Sequence, residues 1–222
     1  LHISGISSRN TTTGKSLAHK LNCPFEENPL LLKADLIIVA TNDASVLDLH
    51  ALFDSKQLFA YTAGAVDLGK LSGDNWGVFY PLQTFTSNRH LGIDEIPVLI
   101  EAKDPKLQHL LSELCDYVGF RYAYCSTADR QKYHLAAVFI NNFVNHLIHQ
   151  AQVQVKEAKL SWELLTPLLE ETIAKLDDFT AHEAQTGPAR RMDQTTIETH
   201  QNLLSPKDRD IYALMTKSIQ KT

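Results

Sequence analysis

A histidine and two asparagines are the first residues here whose types and spacing suit chemistry. Asn141 and Asn145 follow His134 by seven and eleven residues, which places each within about twenty degrees of it on a 3.6-residue helix. Their neighbours Leu135, Ala136, Ala137, Val138, Phe139, Ile140, Phe143 and Val144 are apolar, so the polar line is expected to be covered by protein. Covered polar groups need partners, and such a line belongs either to a site or to a satisfied structural network. Imidazole, with an unperturbed pKa of about 6.5, suits proton transfer near neutral pH. That makes His134 the candidate acid–base group. Arg190 and Arg191 are adjacent in the turn-rich segment 185–193. They are placed to clamp a carboxylate or phosphate beside a helix N-terminus, or equally to pair with Asp193 or with Glu170 and Glu171. His146 and His149 lack a third ligand at metal spacing, so no metal site is expected. Neither a Ser-His-Asp arrangement nor a pair of catalytic carboxylates can be assembled.

Two segments suggest nucleotide chemistry. Thr13-Gly14-Lys15-Ser16 ends like a phosphate-binding loop, but that motif needs a glycine five positions before Gly14, where this chain has Arg9. The rival is that Ser8-Arg9-Asn10 closes the second strand of a dinucleotide fold, where an arginine accommodates the 2′-phosphate of NADP and an acid would favour NAD. An arginine at a strand end is also, in isolation, an ordinary solvated side chain. Thr41-Asn42-Asp43 and Thr62-Ala63-Gly64 follow two strand candidates, where open α/β sheets bind their ligands; each also reads as a helix cap or a turn. Tyr80-Pro81-Leu82-Gln83-Thr84-Phe85 closes a third strand with apolar and hydrogen-bonding residues mixed.

The elements that must position these residues change character along the chain. Strands are expected at 1–7, 35–41, 58–62, 76–80, 96–102 and 120–125, the second of them nearly continuous in β-branched residues. Helices are expected at 12–21, after the Asn42-Asp43 cap, and at 105–117. Strands alternating with helices imply crossover units and a mostly parallel sheet. Beyond about Cys125 only helices are expected, at 127–156, 161–178, 193–204 and 206–220, with Asp193 and Ser205-Pro206 as start signals. The division expected is 1–125 as a Rossmann-like α/β domain and 126–222 as an all-helical one.

The chain has 222 residues, 44% of them hydrophobic, with 21 basic and 26 acidic side chains and a formal net charge of −5. That composition is globular and excludes a broad nucleic-acid or anionic-membrane footprint. No apolar run reaches the roughly 18 residues of a membrane span. Three isolated cysteines point to a reducing compartment, and the cytoplasm is the expected location. The chain opens on Leu1, and Met192 and Met215 are its two methionines. The G-x-G-x-x-G turn that precedes the second strand of a dinucleotide fold is absent from it, so a first strand, Gly-rich turn and helix are expected upstream.

Together these motifs carry a resemblance. Ser8-Arg9, the 35–43 strand and cap, Thr62-Ala63-Gly64, the Tyr80–Phe85 run, His134 through Phe139 with Asn142-Phe143, and Thr186-Gly187-Pro188 through Arg191, Asp193, Ile197 and His200 occur in family order. The chain resembles the NADP oxidoreductases that join a Rossmann-like domain to a C-terminal domain of unknown function 2520. Those are similar to pyrroline-5-carboxylate reductases and to the 6-phosphogluconate dehydrogenase superfamily. The resemblance implies an NADP-binding domain, a helical domain that dimerises, and a cleft between them. It implies that Ser8, Arg9 and Asn10 face the adenosine ribose phosphate and that Thr41, Asn42, Asp43, Thr62, Ala63 and Gly64 line the nicotinamide side. It makes His134, Asn142 and Arg191 the substrate or proton-transfer groups. Helical spacing favours Asn141 beside His134, whereas motif position favours Asn142. The Lys-x-x-x-Asn pair of hydroxyacid dehydrogenases is absent, so their proton donor does not carry over.

The function expected is therefore hydride transfer between NADP(H) and a small polar metabolite, at a carbonyl, imine or alcohol carbon, by a homodimer. A non-catalytic NADP-binding or regulatory dimer on the same fold is the alternative, and nucleotide hydrolysis at Gly14-Lys15-Ser16 a weaker third.

Overall fold

A computed structural model describes residues 1–53, 56–87 and 89–222. It contains two compact units, Leu1–Asn142 and Phe143–Thr222. The first is a Rossmann-like α/β unit, and the regular structure of the second is helical.

In the first unit, β1 (Ile6–Ser7) leads through α1 (Thr11–Lys20) to β2 (Phe25–Glu26), and the two strands pair in parallel. Asn10 starts α1 by accepting a hydrogen bond from the Thr13 amide at 3.1 Å, a role its short side chain suits. A second sheet holds, in order, β3 (Ile37–Val39), β4 (Phe59–Tyr61), β5 (Trp76–Pro81), β6 (Val98–Ala102) and β7 (Tyr122–Tyr124). β3, β4 and β5 are parallel, β6 reverses against β5, and β7 runs parallel to β6. A parallel return needs a crossover, usually a helix. Among its described residues the 82–97 connection has as regular structure only a 3₁₀ turn, Ile93–Glu95, and β6 comes back antiparallel. By connectivity β1 and β2 match strands 2 and 3 of the dinucleotide fold, and β3, β4 and β5 match strands 4, 5 and 6.

The central strands β4, β5 and β6 are buried on both faces, and their pleat sorts the core in two. Phe59 and Tyr61 of β4 pack with Trp76 and Val78 of β5 and with Val46 of α2 (Asp43–His50). Ala60, between them in sequence, faces the other side with Phe79, Ile100 and the Leu107–Leu111 ridge of α3 (Pro105–Val118). This is the period of two that alternating Cβ directions impose. Asp104 starts α3 by accepting from the Lys106 amide at 2.9 Å. Gly119 ends it at φ 90°, a left-handed cap that glycine adopts without a Cβ clash.

Four expected helices appear within one residue at either end: α1, α3, α7 (Gln194–Leu203) and α8 (Pro206–Gln220). The 161–178 segment is broken into 3₁₀ turns around α6 (Thr166–Ala174). The largest departure lies at 127–156, which is not one uniform helix. It comprises α4 (Thr127–Ala137), a π-helical turn at Val138–Phe143, and α5 (Val144–Glu157). Nor is it a core helix, since Phe139 and Ile140 are 58% and 75% exposed. The strands end at Tyr124, yet the first compact unit continues to Asn142, because side chains of α4 bond to strands and loops of that unit.

Within the second unit, Asp193 caps α7, accepting from the Thr196 amide at 3.1 Å and the Thr196 hydroxyl at 2.7 Å. These bonds hold its carboxyl below the usual range. His200 of α7 bonds Tyr212 of α8 at 2.9 Å. Ala189 and Ile197 are the buried hydrophobic residues of this unit among those described. No helix among the described residues is long and apolar enough to cross a membrane.

Candidate functional site

Because β3, β4 and β5 are parallel, their carboxyl ends share one edge of the sheet. After β3, Thr41 leads into Asn42, which caps α2 by accepting from the Ser45 amide at 3.0 Å; Asp43 is the first residue of that helix. After β4, the Thr62 amide donates to the Val39 carbonyl at 3.2 Å and ties the two strand ends together. Ala63 and Gly64 follow, both buried. Tyr80 stands near the end of β5.

Helix α4 brings the acid–base candidate to this edge. It starts beside β6, where the Thr127 amide donates to Glu101 Oε1 at 2.8 Å. From there it runs along the 62–68 loop, and the two are stitched together residue by residue. The Leu68 amide donates to Thr127 Oγ1 at 3.3 Å, Gln131 Nε2 to the Ala65 carbonyl at 3.1 Å, and Arg130 Nε to the Gly64 carbonyl at 3.3 Å. Arg130 is 0% exposed. Its guanidinium also pairs with Glu101 and donates to the Val66 carbonyl and to Tyr61 Oη. A buried cation is tolerated only when paired and hydrogen-bonded throughout. Among the described residues no buried side-chain nitrogen or oxygen lacks a partner.

About one turn beyond Arg130, His134 Nδ1 lies 2.9 Å from Tyr80 Oη, with the rings edge-on at 5.9 Å and 70°. The imidazole rests against Gly64. A Cβ added there would lie 2.7 Å from Nδ1 and 2.9 Å from Tyr80 Cζ, so here glycine is required for space rather than for backbone conformation. Burial pushes the Tyr80 phenol above its ordinary range; the Arg130 charge opposes that shift and Asp43 adds to it. The phenol therefore keeps its proton. No described residue bonds Nε2, the other nitrogen of the His134 ring.

The structure thus groups Thr41, Asn42, Asp43, Thr62, Ala63, Gly64 and His134 at the carboxyl edge, with Asn42 committed to its capping bond. Ser8 Oγ accepts from the Asn10 amide at 3.3 Å, and Asn10 is likewise a cap. Arg9, at the end of β1, is exposed and has no partner among the described residues. Thr13-Gly14-Lys15-Ser16 lies inside α1, with Lys15 paired to Glu27 at 3.2 Å. Its amides are turned into a helix and not around a phosphate, so the hydrolase expectation is corrected.

The π turn bears on the two asparagines. An i→i+5 turn holds one residue more than an α-turn, so the position that comes round to the His134 face is eight residues on instead of seven. That residue is Asn142, which is exposed; Asn141 is half-buried. Asn145 and Arg191 belong to the second unit, both exposed, with Arg191 close enough to help lower the Asp193 carboxyl. Arg130 and Glu101 went unread in the sequence, and Tyr80 was noticed only as part of a motif. A lone glutamate in the apolar strand Val-Leu-Ile-Glu-Ala was the available signal for the buried pair.

A cavity of about 320 Å³, beside Leu30, Phe53 and Gln57, opens near the amino ends of β3 and β4, and one of about 370 Å³, beside Tyr124, Cys125 and Asp129, opens at the carboxyl ends of β6 and β7. Neither is lined by His134, Tyr80 or Gly64, though Glu101 stands in the wall of the second.

Comparison with known proteins extends this picture. A family model described as "Domain of unknown function (DUF2520)" matches residues 96–219. A solved structure from Bacteroides fragilis, named "putative NADP oxidoreductase", is 30% identical over 99% of this chain and 89% of its own, with a TM-score of 0.89. A protein from Thermotoga maritima is 17% identical over 98% of this chain and 89% of its own, with a TM-score of 0.71. The 1-pyrroline-5-carboxylate reductase of Streptococcus pyogenes is 15% identical over the same shares, with a TM-score of 0.58. The last two are likenesses of fold. No curated protein sequence matches the chain.

Proposed function

The chain belongs to the DUF2520 family, and from that premise we propose that it is an NADP(H)-dependent oxidoreductase acting on a small polar metabolite. The observation that carries the proposal is His134, held by Tyr80 over Gly64 at the carboxyl edge of the parallel strands. That edge is where open α/β sheets bind nucleotides and substrates. The residues present fit the cofactor. Arg9, exposed and without a partner among the described residues, offers its guanidinium to a ribose phosphate, and Gly64 lets the His134 ring seat close at the edge where the nicotinamide would lie. NADP(H), when bound, supplies or accepts the hydride. His134 delivers the proton to the substrate oxygen or nitrogen, or removes it in the opposite direction. Asn142, on the same helical face through the π turn, is suited to hold the substrate by hydrogen bonds. The cytoplasm is the compartment proposed, on the three isolated cysteines.

Calorimetric titration of the full-length protein tests the cofactor assignment. NADPH is expected to bind at least about tenfold more tightly than NADH. Arg9→Ala should lose about 1.5–3 kcal/mol with NADPH, roughly 10–100-fold in Kd, and almost nothing with NADH. Equal affinity for both cofactors, or binding of neither, overturns the NADP assignment.

The same proposal includes a homodimer formed through the helical unit. Leu160, Leu164, Leu168, Ile173, Leu203 and Leu214 are 61–73% exposed in the single chain. Two buried hydrophobic residues, Ala189 and Ile197, are too few to offset the conformational entropy of ordering the segment. A second copy, presenting the same apolar residues, covers them by symmetry. Sedimentation equilibrium should give twice the chain mass, and Leu164→Glu with Leu168→Glu should give the monomer. A monomeric parent protein sinks the dimer.

A further inference from the structure

We propose that Tyr80 is a positioning residue that fixes the tautomer of His134, accepting a hydrogen bond from Nδ1–H so that Nε2 is the nitrogen that exchanges protons. The proposal rests on the oxidoreductase assignment for its purpose but not for its test. It begins from the 2.9 Å contact between Nδ1 and Tyr80 Oη, and from the lack of any described partner for Nε2. A neutral imidazole cannot release its N–H proton near neutral pH, because the product would be an imidazolate. Proton transfer at Nε2 therefore runs between imidazolium and neutral imidazole, with Nδ1 keeping its hydrogen throughout. The group facing Nδ1 must then accept, and the phenol oxygen is the group in place.

The step balances. A bound reduced nicotinamide would supply the hydride for the new C–H bond; at His134 the Nε2–H bond breaks and its proton bonds to the substrate oxygen or imine nitrogen. The electron pair of that bond stays on Nε2, and the ring becomes neutral with Nδ1–H still directed to Tyr80. A carboxylate at this place would also hold Nδ1–H, but would stabilise the imidazolium and retard proton release. A protonated phenol holds the ring without that charge. Burial, the first cause of the upward shift at Tyr80, maintains its protonation. The charged groups around the pair are Arg130, about one turn back on α4 and paired with Glu101 of β6, and Asp43 at the start of α2. The ring's close seat on Gly64, after β4, supplies the second constraint on its orientation.

Nitrogen-15 NMR of the histidine rings, with His134 assigned by its Asn variant, reads the tautomer without cofactor or substrate. Above the titration range the parent protein should show His134 protonated on Nδ1 and bare on Nε2, and Tyr80→Phe should show a mixture of both tautomers. In the same variant the turnover number should fall roughly 10–100-fold with little change in KM. Protonation on Nε2 in the parent protein, or the same tautomer in Tyr80→Phe, overturns the role of Tyr80. The expected NMR result with no NADPH consumption in the parent protein instead removes the oxidoreductase assignment and leaves the tautomer assignment intact.

Discussion

Replacing Glu101 with glutamine is expected to destabilise the protein by about 3–5 kcal/mol, the usual consequence of breaking a buried ion pair on one side. Glutamine keeps the size and most of the hydrogen bonding of glutamate but removes the charge. Arg130, which is 0% exposed, is then a buried cation surrounded by the neutral acceptors Gly64 O, Val66 O and Tyr61 Oη. The loss is a large part of the roughly 5–15 kcal/mol by which natural domains are stable. At about 2–4 °C per kcal/mol for a chain of this size, Tm should drop by roughly 6–20 °C in calorimetry. The pair is not an optimum of stability, however. Replacing both partners with apolar residues, as in Glu101→Leu with Arg130→Met, removes two desolvation penalties together. The double variant should recover much of what the single variant loses. A Glu101→Gln protein that melts within about 2 °C of the parent would show that the pair is solvated in practice.

Gly64→Ala is expected to abolish most of the activity while leaving the fold in place. The new methyl would sit 2.7 Å from His134 Nδ1 and 2.9 Å from both His134 Cγ and Tyr80 Cζ, so one ring or the loop must move. Overpacking of this kind typically costs about 1–3 kcal/mol, which the unit can absorb. The displaced imidazole is the greater loss, because misplacing a reacting group by about 1 Å is enough for roughly 10²-fold in rate. Turnover should therefore fall on the order of 100-fold, with circular dichroism unchanged and NADPH affinity altered much less. Retention of full turnover would mean that His134 does not act from this position.

The elements were legible in the sequence where periodicity and caps agreed. Asn42-Asp43 announces α2 and Ser205-Pro206 announces α8, whose expected bounds the structure repeats, and the leucine spacing at 105–117 places α3 to within one residue. The β-branched run at 35–41 reads as a buried strand because its residues must face apolar surroundings on both sides. β2 was illegible, since two residues after Pro24 carry no period. The reversal of β6 was illegible too, because it depends on what the 82–97 connection lacks. At the site, the glycine and the histidine were visible but the bond between His134 and Tyr80 was not: fifty-four positions separate them in sequence. Arg130 was hidden by its setting, Thr-Ala-Asp-Arg-Gln-Lys, which looks like a solvated helix face. The π turn follows no simple residue rule. Its trace was the one-residue disagreement between helical spacing, which pointed to Asn141, and motif position, which pointed to Asn142.

The stitching of the 62–68 loop to α4 also has an entropic consequence. A glycine-containing loop at a ligand edge commonly loses backbone freedom when its ligand arrives, at about 1–2 kcal/mol per residue ordered. Here Thr127, Arg130 and Gln131 hold the loop at Leu68, Val66, Ala65 and Gly64 before anything binds. That ordering is completed on folding, so a ligand that binds at this edge would meet a loop already held in place. Affinity gained by preorganisation of this kind lies in the free protein, not in new contacts made with the ligand.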